Sequence, residues 1–191
     1  LFFQNNKYDV ASCKALVTAH PLRGLDWLIE IWVNIISLKL PWAEMHVYSQ
    51  TLSKNKFIKN TKINNLKLKI IKYKNNGIHV IKPLAEPEFL KNLINYKVHL
   101  NPSNNNSSLS VLESQAAGIP VVSRKNSEIQ NYIYHNETGF IADDANIFSK
   151  KVIDLLSDNS TFLRFRSNSK LNNRIKPWKE VIEKLETKIH E

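Results

Sequence analysis

The amino-acid sequence predicts an α/β fold in which a parallel sheet of about six strands is flanked by helices. Short apolar runs alternate with longer stretches of helical spacing, as they do in parallel α/β sheets. The chain has 191 residues, enough for one domain with a full core, and its 42% of hydrophobic residues indicates a globular protein. We therefore expect a single domain, with residues 12–172 as the α/β core and residues 1–11 as an edge or linker.

The first half of the chain predicts three strands separated by helical segments. Leu25 to Leu40 carries apolar residues at helical spacing, and Pro41 ends that helix. Ser53 to Lys74 is rich in lysine, and we expect it to be helical in part, to present a solvated face and to end at Gly77. The apolar runs that predict the strands are Ala15–Ala19, Met45–Tyr48 and Ile78–Ile81.

The second half of the chain continues the alternation of strands and helices and then predicts helices alone. Gly118 follows a predicted helix, at a position where glycine commonly ends a helix in the left-handed conformation. Three further apolar runs predict strands at Lys97–Leu100, Ile119–Val122 and Phe140–Ile141. Helices are expected at Glu86–Asn95, Leu109–Ala117, Phe148–Leu156, Thr161–Ser169 and Trp178–Ile189, the last three without strands between them.

The net charge of +10 favours anionic partners without choosing among them. Phosphates, nucleic acid and acidic lipid surfaces would all suit it. The abundance of Asn, Lys and Ile would also follow from an AT-rich genome, so the charge is weak evidence of function. Aromatic residues do not interleave with the lysines of residues 54–74, as a platform for single-stranded nucleic acid would require.

Cysteine content and hydropathy narrow the cellular context. Cys13 is the only cysteine, which excludes an internal disulfide and a cysteine-rich metal site and fits a reducing cytoplasm. We interpret Cys13 as a small residue near a core strand. No apolar run reaches the roughly 18 residues needed to span a bilayer, and no secretory signal is visible. We expect a cytoplasmic protein, and contact with the inner face of an anionic membrane stays open.

Two loops that follow predicted strands carry residues suited to an anionic ligand, because open parallel sheets bind ligands at the carboxyl ends of their strands. In the first loop, Arg23 beside Gly24 can grip a phosphate at the start of a helix. A solvated arginine at a turn is the alternative. The second loop runs uncharged from Asn101 to a helix that starts near Ser108, where backbone amides and the helix dipole favour anions.

The helix after the second loop contains Glu113, whose carboxylate can accept hydrogen bonds from a vicinal diol such as a ribose. A surface glutamate is the alternative, but apolar neighbours indicate a largely buried helix in which a carboxylate needs a partner. A third loop, Pro83 to Glu86 with Leu84, could frame a nucleobase. The chain has no dinucleotide fingerprint, phosphate-loop lysine or nucleophile elbow, and its six histidines lack metal-ligand spacing along the sequence.

Ser110 to Val122, with the sequence SVLESQAAGIPVV, resembles the signature helix and strand of the group 1 glycosyltransferases of the GT-B fold. Those enzymes carry a leucine-glutamate-alanine run, then alanine, a small residue, glycine and proline-valine-valine. Four other parts of the chain resemble further markers of the family. They are Arg23 to Leu25, Glu128, the turn Asn136 to Phe140, and Trp178 with the last helix. The resemblance implies a Rossmann-like domain, the C-terminal half of a GT-B fold, with residues 173–191 as its crossing helix.

In that family this half binds the nucleotide of an activated sugar. The resemblance implies that Glu113 holds the ribose, that Arg23 with Gly24 holds the diphosphate, and that backbone amides around Ser107, Ser108 and Leu109 face the phosphates or the sugar. The donor would be UDP- or GDP-linked, and neither a metal nor a further cofactor is expected in such a site. The acceptor-binding domain precedes this one in the family, so we do not expect the chain to complete catalysis without it.

Two positions depart from the family pattern. Asn105, the candidate catalytic residue, stands where the family has the first of two glutamates, and Glu113 is the second. An arginine that the family places about five residues before the turn cation falls here on Thr18 or Ala19.

Three functional hypotheses follow. The first is the donor domain of a retaining glycosyltransferase that uses a nucleotide-sugar and a glycan or lipid-linked acceptor to build a cell-surface glycan or lipid-linked saccharide. The second is a catalytically impaired relative that binds or scaffolds. The third is a basic nucleic-acid-binding domain, although we do not expect nucleic acid as a partner.

Overall fold

The computed structural model describes residues 12–54, 56–103, 108–125, 131–142 and 144–171. The interpretation of residues 1–11 as a linker and of residues 173–191 as a crossing helix lies outside these ranges. The candidate residues Asn105 and Ser107 lie outside them as well.

Six parallel strands form one sheet, which confirms the predicted fold class. Their order across the sheet is β3-β2-β1-β4-β5-β6, so the order reverses between β1 and β4. In sheets of this kind the ligand crevice lies where the order reverses, at the carboxyl edge. The strands are β1 Lys14–Val17, β2 Glu44–Tyr48, β3 Ile78–Ile81, β4 Val98–Asn101, β5 Val121–Arg124 and β6 Gly139–Ala142.

Helices cover both faces of this sheet. The long predicted helix is continuous but changes pitch, because α-helical turns flank a π-helical segment at Trp32–Ile36. The helices are α1 Leu25–Ile31, α2 Ser37–Lys39, α3 Gln50–Ser53, α4 Thr61–Lys72, α5 Glu86–Asn92, α6 Ser108–Ala116, α7 Ala145–Ser157 and α8 Asn159–Leu171, with 3-10 turns at Lys74–Asn76 and Leu93–Asn95.

The two faces of the sheet bury different clusters. On one face, α1 and α7 pack on the central strands, and Trp32 and Phe148 are completely buried there. On the other face, Leu16 of β1 packs with Tyr96 and with Ala117 at the end of α6. Burial on both faces explains why the strands read as short apolar runs rather than as alternating ones.

Several predicted strand boundaries differ from the structure by one or two residues, and the first and fifth strands illustrate this. The first strand ends at Val17, two residues before the predicted end. The fifth begins at Val121 instead of at Ile119, because a helix cap occupies the residues before it. Gly118 adopts a φ of 78°, and Ile119 donates its amide to the Ser114 carbonyl at 2.8 Å. This cap delays the start of the strand to Val121, where pairing with β4 begins with the hydrogen bond from the His99 amide to the Pro120 carbonyl at 3.0 Å.

The lysine-rich stretch is helical in part, as predicted, but its description as a solvated face was incomplete. Lys67 of α4 is 8% exposed, and its Nζ donates to the backbone oxygens of Lys54 at 2.7 Å and Lys56 at 2.6 Å. Lys69 pairs with Asp26 of α1 and with Glu30 at 2.5 Å. Lys67 links α4 to the segment before it, because its buried ammonium group needs acceptors. Lys69 links α4 to the neighbouring helix α1.

Candidate functional site

The first and second candidate loops meet at the carboxyl edge of the sheet. Gly24, which immediately precedes α1, has a φ of 84°, and a Cβ built on it would lie 2.2 Å from the backbone oxygen of Pro102. Pro102 directly follows β4, so only a glycine allows the two loops to approach this closely. The Arg23-Gly24 turn therefore contacts the start of the polar loop that follows β4.

Arg23 itself is exposed at this junction. Its amide donates to the His20 carbonyl at 2.8 Å, and the Leu22 amide donates to His20 Nδ1 at 3.3 Å. These bonds close the turn between β1 and α1, so the turn holds the backbone of Arg23 beside the start of α1. The turn thus places Arg23 one residue before Gly24 at the carboxyl edge of the sheet.

A buried histidine connects the first loop to α6. The ring of His99, on β4, is fully buried between the Thr18 hydroxyl, 3.1 Å from Nε2, and the Ser114 hydroxyl, 2.9 Å from Nδ1. Burial lowers the pKa of His99 from 6.5 to about 4, so the ring is neutral at physiological pH. Since Thr18 leads into the first loop and Ser114 follows Glu113, His99 fixes the two halves of the candidate site relative to each other.

Glu113 is the principal candidate ligand residue on α6. Its side chain is partly buried, and across the described ranges its carboxylate forms no hydrogen bond or ion pair. Burial raises the pKa of Glu113, and the negative charge of Glu86, the first residue of α5, raises it further. A partly buried carboxylate without a protein donor suits a ligand that brings hydroxyl donors, such as a ribose.

The other predicted contacts of the site lie on neighbouring elements. Leu109, in the first turn of α6, is 68% exposed, so this large apolar side chain is open to a ligand or partner. Leu84 is partly buried against the cluster that contains Ala117 at the end of α6. The third loop and the residue that follows α6 therefore adjoin one hydrophobic cluster. Ser108 begins α6.

The turn from Asn136 to Phe140, which stood out in the sequence only through the family resemblance, supports α6 through hydrogen bonds. Gln115 of α6 donates from Nε2 to the Thr138 hydroxyl at 2.8 Å, and this hydroxyl also accepts the Tyr134 amide at 3.0 Å. Thr138 is 1% exposed, and its carbonyl accepts a hydrogen bond from Ser169 of α8. The turn after Asn136 thus anchors the helix that carries Glu113.

Sequence reasoning missed His99 and the Gln115-Thr138 contact. One signal for His99 was available, because a histidine between two apolar residues of a buried strand needs polar partners. The structure does not describe Asn105, Ser107 or the side chain of Ser108, so the roles expected of them stay predictions.

Comparison with known proteins adds family evidence to this geometry. A family model described as glycosyl transferases, group 1, matches residues 11–158. A search among curated proteins gives no match. The pneumococcal O-GlcNAc transferase GtfA, solved with UDP and GlcNAc, has a TM-score of 0.72 and 15% identity over 93% of this chain and 35% of its own.

Two further solved structures share the fold. Sucrose-phosphate synthase from Thermosynechococcus elongatus has a TM-score of 0.75 and 14% identity, over 93% of this chain and 45% of its own. The C-terminal domain of LpcC, a glycosyl transferase group 1 family protein from Francisella tularensis, has a TM-score of 0.64 and 16% identity, over 82% of this chain and 81% of that domain. The chain spans between a third and a half of GtfA and of the synthase, and most of the isolated domain.

Proposed function

Because the chain belongs to the group 1 glycosyl transferases, we propose that it binds a nucleotide-activated sugar at the carboxyl edge of its sheet and presents that sugar for transfer. The observation that carries the proposal is the meeting of the Arg23-Gly24 turn with the loop after β4, next to the helix that holds Glu113. This junction combines a cation, helix amides and a carboxylate that has no donor among the described residues, and such groups suit a nucleoside diphosphate.

Each group has a role fitted to one part of the donor. Glu113 accepts hydrogen bonds from the ribose hydroxyls. Arg23 and the amides at the start of α6, around Ser107 to Leu109, meet the diphosphate, with Gly24 allowing close approach. The backbone around Leu84 borders the base.

The chemical demand on such a site is stabilisation of the leaving group. When the bond between sugar and diphosphate breaks, negative charge grows on the departing nucleoside diphosphate, and preorganised cations and amides lower the energy of that state. Arg23 and the α6 amides supply this stabilisation, and no metal is required for it. We assign a retaining outcome, with Asn105 beside the reacting sugar carbon, on the basis of the family resemblance.

The donor and acceptor can be proposed by class. GtfA was solved with UDP and GlcNAc, and HepE from Anabaena was solved with UDP-glucose. These structures favour a UDP-linked sugar as donor. On the family resemblance we propose a UDP- or GDP-linked sugar as donor and a glycan or lipid-linked saccharide as acceptor. Completion of the transfer would require an acceptor-binding domain in addition to the fold described here.

A nucleotide panel in a thermal unfolding assay tests this proposal. UDP or GDP, at about 100 times its dissociation constant, should add about 2.7 kcal/mol to the free energy of unfolding and raise the melting temperature by about 5 to 10 °C. Glu113→Ala should remove this protection, whereas Glu137→Ala, in the exposed turn before β6, should retain it. Absence of a shift with UDP, GDP and ADP alike would refute the proposal.

Asn105 motivates a second candidate, a relative that binds the donor without using it. An asparagine at this position lacks the negative charge that would favour an oxocarbenium-like centre. Both hypotheses predict that a nucleotide protects the protein against thermal unfolding. Only a measurement of nucleotide-sugar turnover therefore distinguishes them. Hydrolysis of a nucleotide-sugar by the full-length protein would dismiss the binding-only role.

Peripheral contact with an anionic membrane is proposed for the surface formed by α4 and the residues before it. No helix within the described ranges is both long enough and apolar enough to cross a bilayer. Phe57 and Ile71 are each 62% exposed and Leu68 is 53% exposed, and exposed lysines surround them. Apolar side chains framed by lysines suit the interface of an anionic lipid surface, where each lysine contributes about 1 kcal/mol.

Vesicle sedimentation tests this membrane contact. The chain should sediment with vesicles that contain phosphatidylglycerol and remain in solution with pure phosphatidylcholine. Phe57→Ser combined with Ile71→Ser should weaken sedimentation at least tenfold. Equal binding by the wild type and the double variant would rule out this surface.

A further inference from the structure

Pairing of β2 with β3 brings together three side chains that are scattered in the sequence. Glu44 begins β2 and His46 follows two residues later on the same face, while His79 is the direct register partner of His46 on β3. The His46 Nε2 and Glu44 Oε2 atoms are 2.8 Å apart. The centroids of the two imidazole rings are 5.4 Å apart, and the rings meet edge to face. One potential ligand atom from each of the three residues lies within 4.8 Å of the others.

We propose that Glu44, His46 and His79 form a binding site for a divalent transition-metal ion of the zinc class. Two imidazole nitrogens and one carboxylate oxygen form a donor set that Zn²⁺ accepts, with water in the fourth position. Because one ligand atom of each residue already lies within 4.8 Å of the others, side-chain rotations would bring all three atoms to the roughly 2.0 to 2.2 Å from the ion that zinc requires. Hard cations such as Mg²⁺ and Ca²⁺ prefer oxygen ligands and should bind poorly.

A hydrogen-bonded chain behind His46 orients its ring for this role. His46 Nδ1 lies 3.0 Å from the Tyr96 hydroxyl, which lies 2.9 Å from the Tyr48 hydroxyl, and Asn92 donates to Tyr48 at 2.8 Å. In the metal-free protein His46 donates from Nε2 to the Glu44 carboxylate and accepts at Nδ1 from the Tyr96 hydroxyl. Metal binding would displace the Nε2 proton, and Nδ1 would then carry a proton and donate to Tyr96. Metal-binding histidines characteristically use their second nitrogen in this way.

Accessibility and charge are compatible with capture of an ion from solution. His79 is exposed, and the Glu44 side chain is 39% exposed, so an ion can enter without opening the fold. Lys14 Nζ lies 3.6 Å from Glu44 Oε2 and competes for this carboxylate. The lysine side chain is 33% exposed and flexible, so a doubly charged ion can displace it.

The metal cluster lies apart from the donor site, and its position in the sheet suggests a structural role for the metal. Glu44 is the first residue of its strand, whereas the donor loops follow the last residues of β1 and β4. Among the strands that the structure describes, β3 is at the edge of the sheet and pairs with β2 alone. An ion held by His79 together with Glu44 and His46 would cross-link this edge strand to its neighbour and stabilise the sheet.

Titration of the untagged chain with Zn²⁺ by calorimetry, together with Co²⁺ absorption spectra, tests the proposal. We expect one equivalent of bound metal, a raised melting temperature and the visible d–d bands of Co²⁺ bound to nitrogen and oxygen. His79→Gln should weaken binding at least tenfold without affecting folding, since the side chain is exposed. Lys14→Met should strengthen binding, and His135→Gln, which lies outside the cluster, should leave it unchanged.

Two results would overturn the metal site. One is the absence of binding by the wild type at millimolar Zn²⁺. The other is equal affinity in the wild type, His79→Gln and His46→Gln, which would assign any bound zinc to another location. Neither result affects the donor-site proposal, whose nucleotide test uses no metal.

Discussion

Replacement of Gly24 by alanine is expected to lower the free energy of unfolding by about 3 kcal/mol and to weaken nucleotide binding. Two effects add in this variant. An alanine with a φ of 84° is strained by about 1 to 2 kcal/mol, and its Cβ would meet the Pro102 backbone oxygen at 2.2 Å, so the two loops must separate. Urea unfolding measures the loss of stability, and nucleotide titration measures the change in affinity.

Two other glycines provide matched controls for this prediction. Gly118 has a similar φ of 78°, but the three atoms nearest to an added Cβ belong to the side chains of Lys170 and Arg166, so Gly118→Ala should lose about 1 to 2 kcal/mol through backbone strain, without a backbone clash. Gly77→Ala repeats the backbone conflict, at 2.3 Å from the Ala43 oxygen, before β3. It should destabilise the fold and leave nucleotide affinity intact. Unchanged affinity in Gly24→Ala would contradict the proposed junction.

Acidification is expected to destabilise the protein through His99. Burial holds the pKa of this ring at about 4, whereas the unfolded chain protonates it near 6.5. Between these values the unfolded state binds the proton and the native state does not, so stability is lost as the pH falls from about 6.5 to about 4. The contribution of this one residue amounts to about 3 kcal/mol over that range.

Urea unfolding at a series of pH values isolates the contribution of His99. His99→Leu should be less stable than the wild type at pH 7, by about 1 to 3 kcal/mol, because the Thr18 and Ser114 hydroxyls lose their partner. The difference between the two proteins should shrink toward pH 4. The exposed His135→Gln should keep the acid dependence of the wild type. A constant difference between His99→Leu and the wild type at all pH values would show that His99 is not the titrating group.

Local patterns in the sequence were sufficient to predict the fold. Parallel strands buried on both faces produce short apolar runs, and a helix face produces regular spacing, so six strands and most helices could be located. Boundaries were less predictable where a cap competes with a strand. The run from Ile119 to Val122 is apolar throughout, and only the hydrogen bonds after Gly118 decide that the strand begins at Val121.

Contacts between distant segments could not be predicted from spacing. His99 and Thr18 are 81 residues apart in the sequence, with two strands of the sheet between them along the chain, and the sequence contains no pattern that joins them. The same holds for His46 and His79, which only the register of β2 and β3 makes neighbours. The candidate donor site was predictable to a greater extent, because Arg23 and Glu113 each follow the carboxyl end of a strand, and the topology of the sheet brings such loops together.

The central claim is that the carboxyl edge of this sheet binds a nucleoside diphosphate. Proton–nitrogen correlation spectra of the 191-residue chain, recorded during titration with UDP or GDP, test it most directly. We predict that the largest saturable shifts occur at the amides of Gly24, Ser103 and Glu113, while Glu44 and His79 at the metal cluster stay unchanged. Saturable shifts that leave those three amides unaffected and concentrate on α4 or on the metal cluster would contradict the claim.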